Sequence, residues 1–79
     1  MKRVQITGQS VELYKILKFE GLASSGGEAK QVIAMGQVLV NGLAETRKRK
    51  KIVSGDVIEY GNEKILIQCI SETGPKAST

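Results

Sequence analysis

The spacing of apolar residues changes once, at Gly36, and that change divides the chain into a helical part and a strand part. Before it, Leu13, Ile16 and Leu17 fall at i, i+3 and i+4, and Ala29, Val32 and Ile33 repeat the spacing. Each set lines one stripe of a helix. After it, Val38 and Val40 share one face of Gln37–Val40, and the period is two. A shorter alternation, Val4 and Ile6 against Arg3 and Gln5, opens the chain as a strand. A strand, two successive helices and then several strands predict an α+β fold, a helix pair packed on a small, mainly antiparallel sheet.

Punctuation residues set the expected boundaries. Ser10 suits the N-cap of a first helix over 11–20, because its hydroxyl can accept from an otherwise unpaired amide, and Gly21 supplies the stop. Tyr14 and Phe19 flank the apolar stripe and are expected in the core or at its edge. Ser25 and Glu28 read as a capping box for the second helix, which Gly36 ends. Gly26 and Gly27 are poor helix formers in its first turn. Either another backbone or a phosphate approaches closely there, or the turn is loose. Asn41-Gly42 is a hairpin signal. Ser54-Gly55-Asp56 reads as a turn whose amides Asp56 satisfies. Val57–Tyr60 and residues 64–70 read as strands joined at Gly61-Asn62. In the last of these, Cys69 shares a face with Ile65 and Ile67 and is expected as a small buried hydrophobe. Residues 1–70 then form a single domain, and 71–79, with Gly74-Pro75 and small polar residues, form a disordered tail.

A chain of 79 residues buries only about 60% of its unfolded surface and builds no deep substrate cleft. It has no histidine, one cysteine, and carboxylates scattered without paired spacing. That removes imidazole bases and His-Cys metal sites. No catalytic residue, metal, cofactor or small-molecule substrate is expected. No apolar run approaches the ~20 residues of a membrane-spanning helix. The single cysteine fits a reducing compartment. A soluble cytoplasmic monomer is the expectation.

The composition leans basic, 12 Lys and Arg against 8 Asp and Glu, and five of the twelve stand side by side as Arg47-Lys48-Arg49-Lys50-Lys51. Packing like charges together opposes folding, and a polyanionic partner relieves it. A solvated loop and a targeting signal are the bland readings. The position of the run between two predicted strands favours a fixed binding surface. With only Tyr14, Phe19 and Tyr60 as aromatics, there is no paired stacking platform. The available chemistry is phosphate contact, which recognises shape and position more than base identity. The start of the second helix adds free amides and the hydroxyls of Ser24 and Ser25, with Lys30 one turn along. Lys15 and Lys18 on the first helix are weaker candidates.

Three segments occur in order: Leu22-Ala23-Ser24-Ser25-Gly26-Gly27-Glu28-Ala29-Lys30, Gly36-Gln37-Val38-Leu39-Val40-Asn41-Gly42, and Lys51-Ile52-Val53-Ser54-Gly55-Asp56-Val57-Ile58. Together they resemble the RNA-binding domain named after small-subunit ribosomal protein S-four. Glu45-Thr46-Arg47-Lys48-Arg49-Lys50-Lys51, and a pattern covering most of the chain, bring the resemblance closer to the stand-alone YbcJ-like branch. The resemblance implies an αL-type helix pair and binding to structured RNA, often ribosomal or transfer RNA. Carried over, it points to Ser24, Ser25 and Lys30 and to Arg47, Lys48, Arg49 and Lys51, with Lys50 in the same run. Many members have an arginine after the serine that opens the second helix. Gly26 stands there in this chain, so one phosphate contact of the pattern is absent. The expected function is a non-catalytic RNA binder tied to ribosome or RNA maturation. The alternative is a protein-interaction adaptor whose basic loop meets an acidic partner.

Overall fold

The structure is a computed structural model and describes residues 1–70; the predicted tail, 71–79, lies outside the described residues. The elements are β1 (Lys2–Thr7), β2 (Val11–Glu12), α1 (Leu13–Phe19), α2 (Gly26–Ala34), β3 (Val38–Val40), β4 (Leu43–Ala44), β5 (Lys51–Ile52), β6 (Val57–Tyr60) and β7 (Glu63–Ile70). Five strands form one sheet in the order β1-β7-β6-β3-β4, and β2 pairs with β5 in a separate two-stranded ribbon. All pairs are antiparallel except β1 with β7, where Val4 faces Ile67 and Ile6 faces Cys69. This is the expected α+β architecture.

The periods read from the sequence are the faces that pack. Leu13, Ile16 and Leu17 of α1 and Ala29, Val32 and Ile33 of α2 are all buried. They lie against Val38, Val40, Ile58, Ile65, Ile67 and Val4 on one face of the sheet. Fully burying one such aliphatic side chain is worth about 1.5–3 kcal/mol. Ala29 is fully buried, and its small side chain lets α2 come close to its neighbours.

Both helices end in the same device. Leu22 N–H donates to Leu17 O and Gly21 N–H to Lys18 O; at α2, Gln37 N–H donates to Val32 O and Gly36 N–H to Ile33 O. These are Schellman closures, which need a left-handed residue. Gly21 and Gly36, with φ of 74° and 76°, supply it without a Cβ clash. The β3–β4 hairpin turns on Asn41 and Gly42, both at positive φ as a type I′ turn requires.

Three local expectations fail. The first helix begins at Leu13, not residue 11, and Ser10 does not cap it: Glu12 occupies the N-cap position and makes no side-chain cap hydrogen bond. Val11 and Glu12 pair instead with Ile52 and Lys51, so a tertiary pairing takes the residues that local propensity gave to the helix. Phe19 lies at 69% exposure, outside the core. Cys69 is half-buried, and its thiol donates to Gln9 O at 3.4 Å.

Candidate nucleic-acid interface

The basic run is built as a strap, tied down along its length. Glu45 N–H, just past β4, donates to Val38 O at 2.9 Å. Lys50 N–H closes a turn onto Arg47 O at 3.1 Å. The first two amides of α1 then bond to the strap, Leu13 N–H to Lys50 O at 2.9 Å and Tyr14 N–H to Lys48 O at 3.1 Å. Leaving the strap, Lys51 pairs with Glu12, and Ile52 is fully buried. Two of the orphan donors of α1 are therefore satisfied by strap carbonyls in place of a capping side chain.

That arrangement explains the failure of Ser10 and fixes an electrostatic oddity. The strap backbone meets the N-terminus of α1, whose dipole is positive and favours anions. Among the described residues Lys48, Arg49, Lys50 and Lys51 form no ion pair. Lys48, Arg49 and Lys51 are exposed, and Lys50 is half-buried. The strap thus holds four cations outside any ion pair among the described residues, with Lys50 near enough to Glu45 to help lower its carboxyl, on a backbone that meets the amides opening α1.

Arg47 differs from its neighbours. Its backbone N–H and its Nε both donate to Glu45 Oε2, at 3.0 and 2.9 Å, and Nη2 lies 3.4 Å from Glu45 Oε1. The Arg47 side-chain hydrogen bond is the main reason the Glu45 carboxyl titrates below the usual carboxylate range, and the same bond raises Arg47.

Tyr14 links the strap to both helices. Its amide is bonded to the strap, its ring packs against the core, and Lys30 Nζ of α2 lies 4.8 Å from the ring centroid. Lys15 Nζ is 6.0 Å from the same centroid and 3.4 Å from Glu12 Oε1. Lys15, Lys30 and the strap therefore share one neighbourhood. Lys18 sits in the last turn of α1, where a cation suits the negative end of the dipole, at the other end of the helix from the strap carbonyls. The sequence marks Tyr14 only as core or core edge and gives Glu45 no role at the site. A carboxylate two residues before the first cation of a basic run was the available signal.

At the start of α2, Ser25 is the N-cap as read, its Oγ accepting from Glu28 N–H at 3.1 Å. The return arm of the capping box lands one residue earlier than expected. Glu28 Oε1 accepts from Ser24 N–H at 2.6 Å and Ser24 Oγ at 2.7 Å. Those bonds hold the Glu28 carboxyl below its ordinary range. Ser24 thus spends both donors inside the chain. A Cβ at Gly26 would meet nothing within 4 Å, and one at Gly27 only Ser25 Oγ at 3.8 Å, so no backbone crowds that turn.

A latch below the strap completes the geometry. Asn41 Nδ2 donates to Asp56 Oδ1 at 3.0 Å, Asp56 Oδ2 accepts from Val53 N–H at 2.9 Å, and Asn41 Oδ1 accepts from Val57 N–H at 2.9 Å. It joins the β3–β4 turn, which precedes the strap, to the 53–56 turn, which follows it. Asp56 serves turn amides, as the sequence suggests. Among the described residues there is no cluster of potential metal ligands and no helix long and apolar enough to cross a membrane.

Comparison with known proteins agrees with this architecture. Residues 4–68 match the family model described as S4 domain. An Escherichia coli K12 relative, YbcJ, named as a candidate RNA-binding protein, is 47% identical over 57 residues, which are 72% of this chain and 81% of that one. A Bacillus subtilis relative, RlbA, named as a candidate ribosome maturation protein, is 34% identical over 56 residues, 71% of this chain and 79% of that one. The solution structure of E. coli YbcJ, described as revealing an αL motif involved in RNA-binding, superposes with a TM-score of 0.66. It is 40% identical and covers 86% of this chain and 87% of its own. With residues 4–68 matching the family model and nearly half of the aligned residues shared with YbcJ, the chain belongs to the S4-domain family, in its YbcJ-like branch.

Proposed function

We propose that this chain is a non-catalytic, cytoplasmic, monomeric RNA-binding protein that grips structured RNA, ribosomal or transfer RNA, and serves ribosome or RNA maturation. The observation that carries the reading is the strap: a run of five cations, four of them outside any ion pair among the described residues, on a backbone tied to the first amides of α1. Folding alone disfavours that placement, and a row of phosphates makes it favourable. Because the strap is already ordered, binding avoids much of the entropy loss that a free basic tail would suffer. Arg47, Lys48, Arg49, Lys50 and Lys51 form the centre of the interface, and Lys15 and Lys30 its flank around Tyr14. Ser24, Ser25 and Lys18 lie at its margin, and Ser24 contributes only if Glu28 releases it.

The test is crosslinking in cells followed by sequencing of the attached RNA, with an Arg47/Lys48/Arg49 charge-reversal variant beside the parent chain. Enrichment of one structured RNA, lost in the variant, establishes function and site together. Equal recovery from both chains removes the strap from the interface. Partners that survive ribonuclease and vanish in the variant would replace RNA with an acidic protein.

A further inference from the structure

A carboxylate inside a polyanion-binding strap opposes binding by simple charge, so its presence calls for a compensating role. Glu45 is held tightly: its side chain is 14% exposed against 71% for Arg47, and one oxygen, Oε2, takes both the backbone N–H and the Nε–H of Arg47. Those two bonds close a ring around Thr46. They fix the backbone entering the 47–50 turn and the direction of the Arg47 guanidinium, and they leave Nη1 outside the pair. The carbonyls of Lys48 and Lys50 in that turn cap α1, so the brace sits at its entry, upstream of the four remaining cations.

We infer that Glu45 is a positioning residue that makes the strap selective for RNA with a fixed phosphate geometry, trading total affinity for discrimination between folded and flexible strands. The inference rests on the RNA-binding reading above. A rigid row of cations gains most from phosphates already spaced to match it, whereas a flexible strand adapts to any cluster of charge and gains only from net charge. Removing the brace should therefore have opposite effects on the two kinds of ligand.

The experiment compares the full chain with Glu45→Ala, Glu45→Gln and Arg47→Lys. Each is titrated against folded transfer RNA and against an oligouridine strand of matched length. The two Glu45 variants carry the same net charge, but glutamine keeps one oxygen to accept the two Arg47 donors. Glu45→Ala should bind oligouridine about 5-fold more tightly at 0.1 M salt, as expected for one added net charge, and transfer RNA more weakly than the parent. The ratio of the two affinities then falls about tenfold or more. Glu45→Gln should keep most of the ratio. Arg47→Lys leaves the charge unchanged and should lose the ratio without gaining on oligouridine, since lysine lacks the fork. If Glu45→Ala and Glu45→Gln both gain equally on both RNAs, Glu45 is a charge and nothing more, and the inference is overturned. Melting curves for all variants separate a collapsed fold from a changed strap. A Lys48→Ala/Arg49→Ala control that leaves both affinities intact overturns the RNA-binding reading itself.

Discussion

Replacing Lys48 and Arg49 together by alanine should change RNA affinity by an amount set by salt, and the structure fixes how much. The segment 45–51 carries five cations and one carboxylate, and the Glu45–Arg47 pair leaves Lys48, Arg49, Lys50 and Lys51 as the charges open to phosphate. With about 0.7–0.9 counterions released per phosphate neutralised, four contacts give a slope of log K against log salt near −3. Removing two should make the slope shallower by about 1.4–1.8. At 0.1 M salt each lost contact weakens binding roughly 5- to 8-fold, so the double variant loses about 25- to 60-fold, close to 2 kcal/mol. Near 1 M the parent and variant lines should meet. Fluorescence anisotropy with folded transfer RNA over a salt series reads all of this. The variant should also melt slightly higher at low salt, because both side chains are exposed and their loss thins a run of five adjacent cations. Parallel lines of equal slope would refute the assignment, because a lost phosphate contact must change the slope. A variant that melts lower would refute the electrostatic account of the strap.

Three further outcomes follow from the bonds described. Lowering the pH should remove the Glu28 contribution at the start of α2: its folded pKa is depressed by Ser24, so that contribution is present above 4.5 and is lost as pH falls through the folded value. Melting temperatures of Glu28→Gln should be flatter than the parent's over that acid range. Asn41→Ala should destabilise by about 1–2 kcal/mol in urea titration, since it removes the bonds to Val57 N–H and Asp56 Oδ1 and places alanine at φ 54°. Asn41→Gly should recover only the backbone part. Ile52→Ala should destabilise by about 2–5 kcal/mol and weaken RNA binding as well, because Ile52 anchors the exit of the strap. Unchanged affinity in a folded Ile52→Ala chain would show that the strap is held without it.

The residues that declared themselves in the sequence are those whose structure is decided locally. The helix stripes, the Gly21 and Gly36 stops, the Ser25 cap and the Asn41-Gly42 turn all follow from spacing or backbone freedom within a few positions. What stayed hidden depends on partners far along the chain. Val11 and Glu12 carry no sign that Ile52 and Lys51 will claim them, so the helix start moved from residue 11 to Leu13. The parallel pairing of β1 with β7 was likewise invisible, because an alternating strand does not reveal its neighbour. In the candidate site, the basic run and Lys30 were legible as charge. Its rigidity was not, since it comes from strap carbonyls meeting the amides of Leu13 and Tyr14. Phe19 misled because the helical stripe alone does not show where the opposing layer ends.

The pairing of β1 with β7 also sets the order in which this protein can be finished. Every other neighbour in the five-stranded sheet is antiparallel, but β1 finds its ladder only in the last strand, with Lys2 opposite Ile65 and Thr7 opposite Ile70. A chain emerging from a ribosome therefore holds its first strand without a partner until nearly the last described residue is out. The helices and the β3–β4 hairpin can form meanwhile, because their contacts are close in sequence. Closing the sheet is a late event that joins the first and last described strands, and a product cut before β7 leaves β1 without its partner and the edge of β6 open to aggregation.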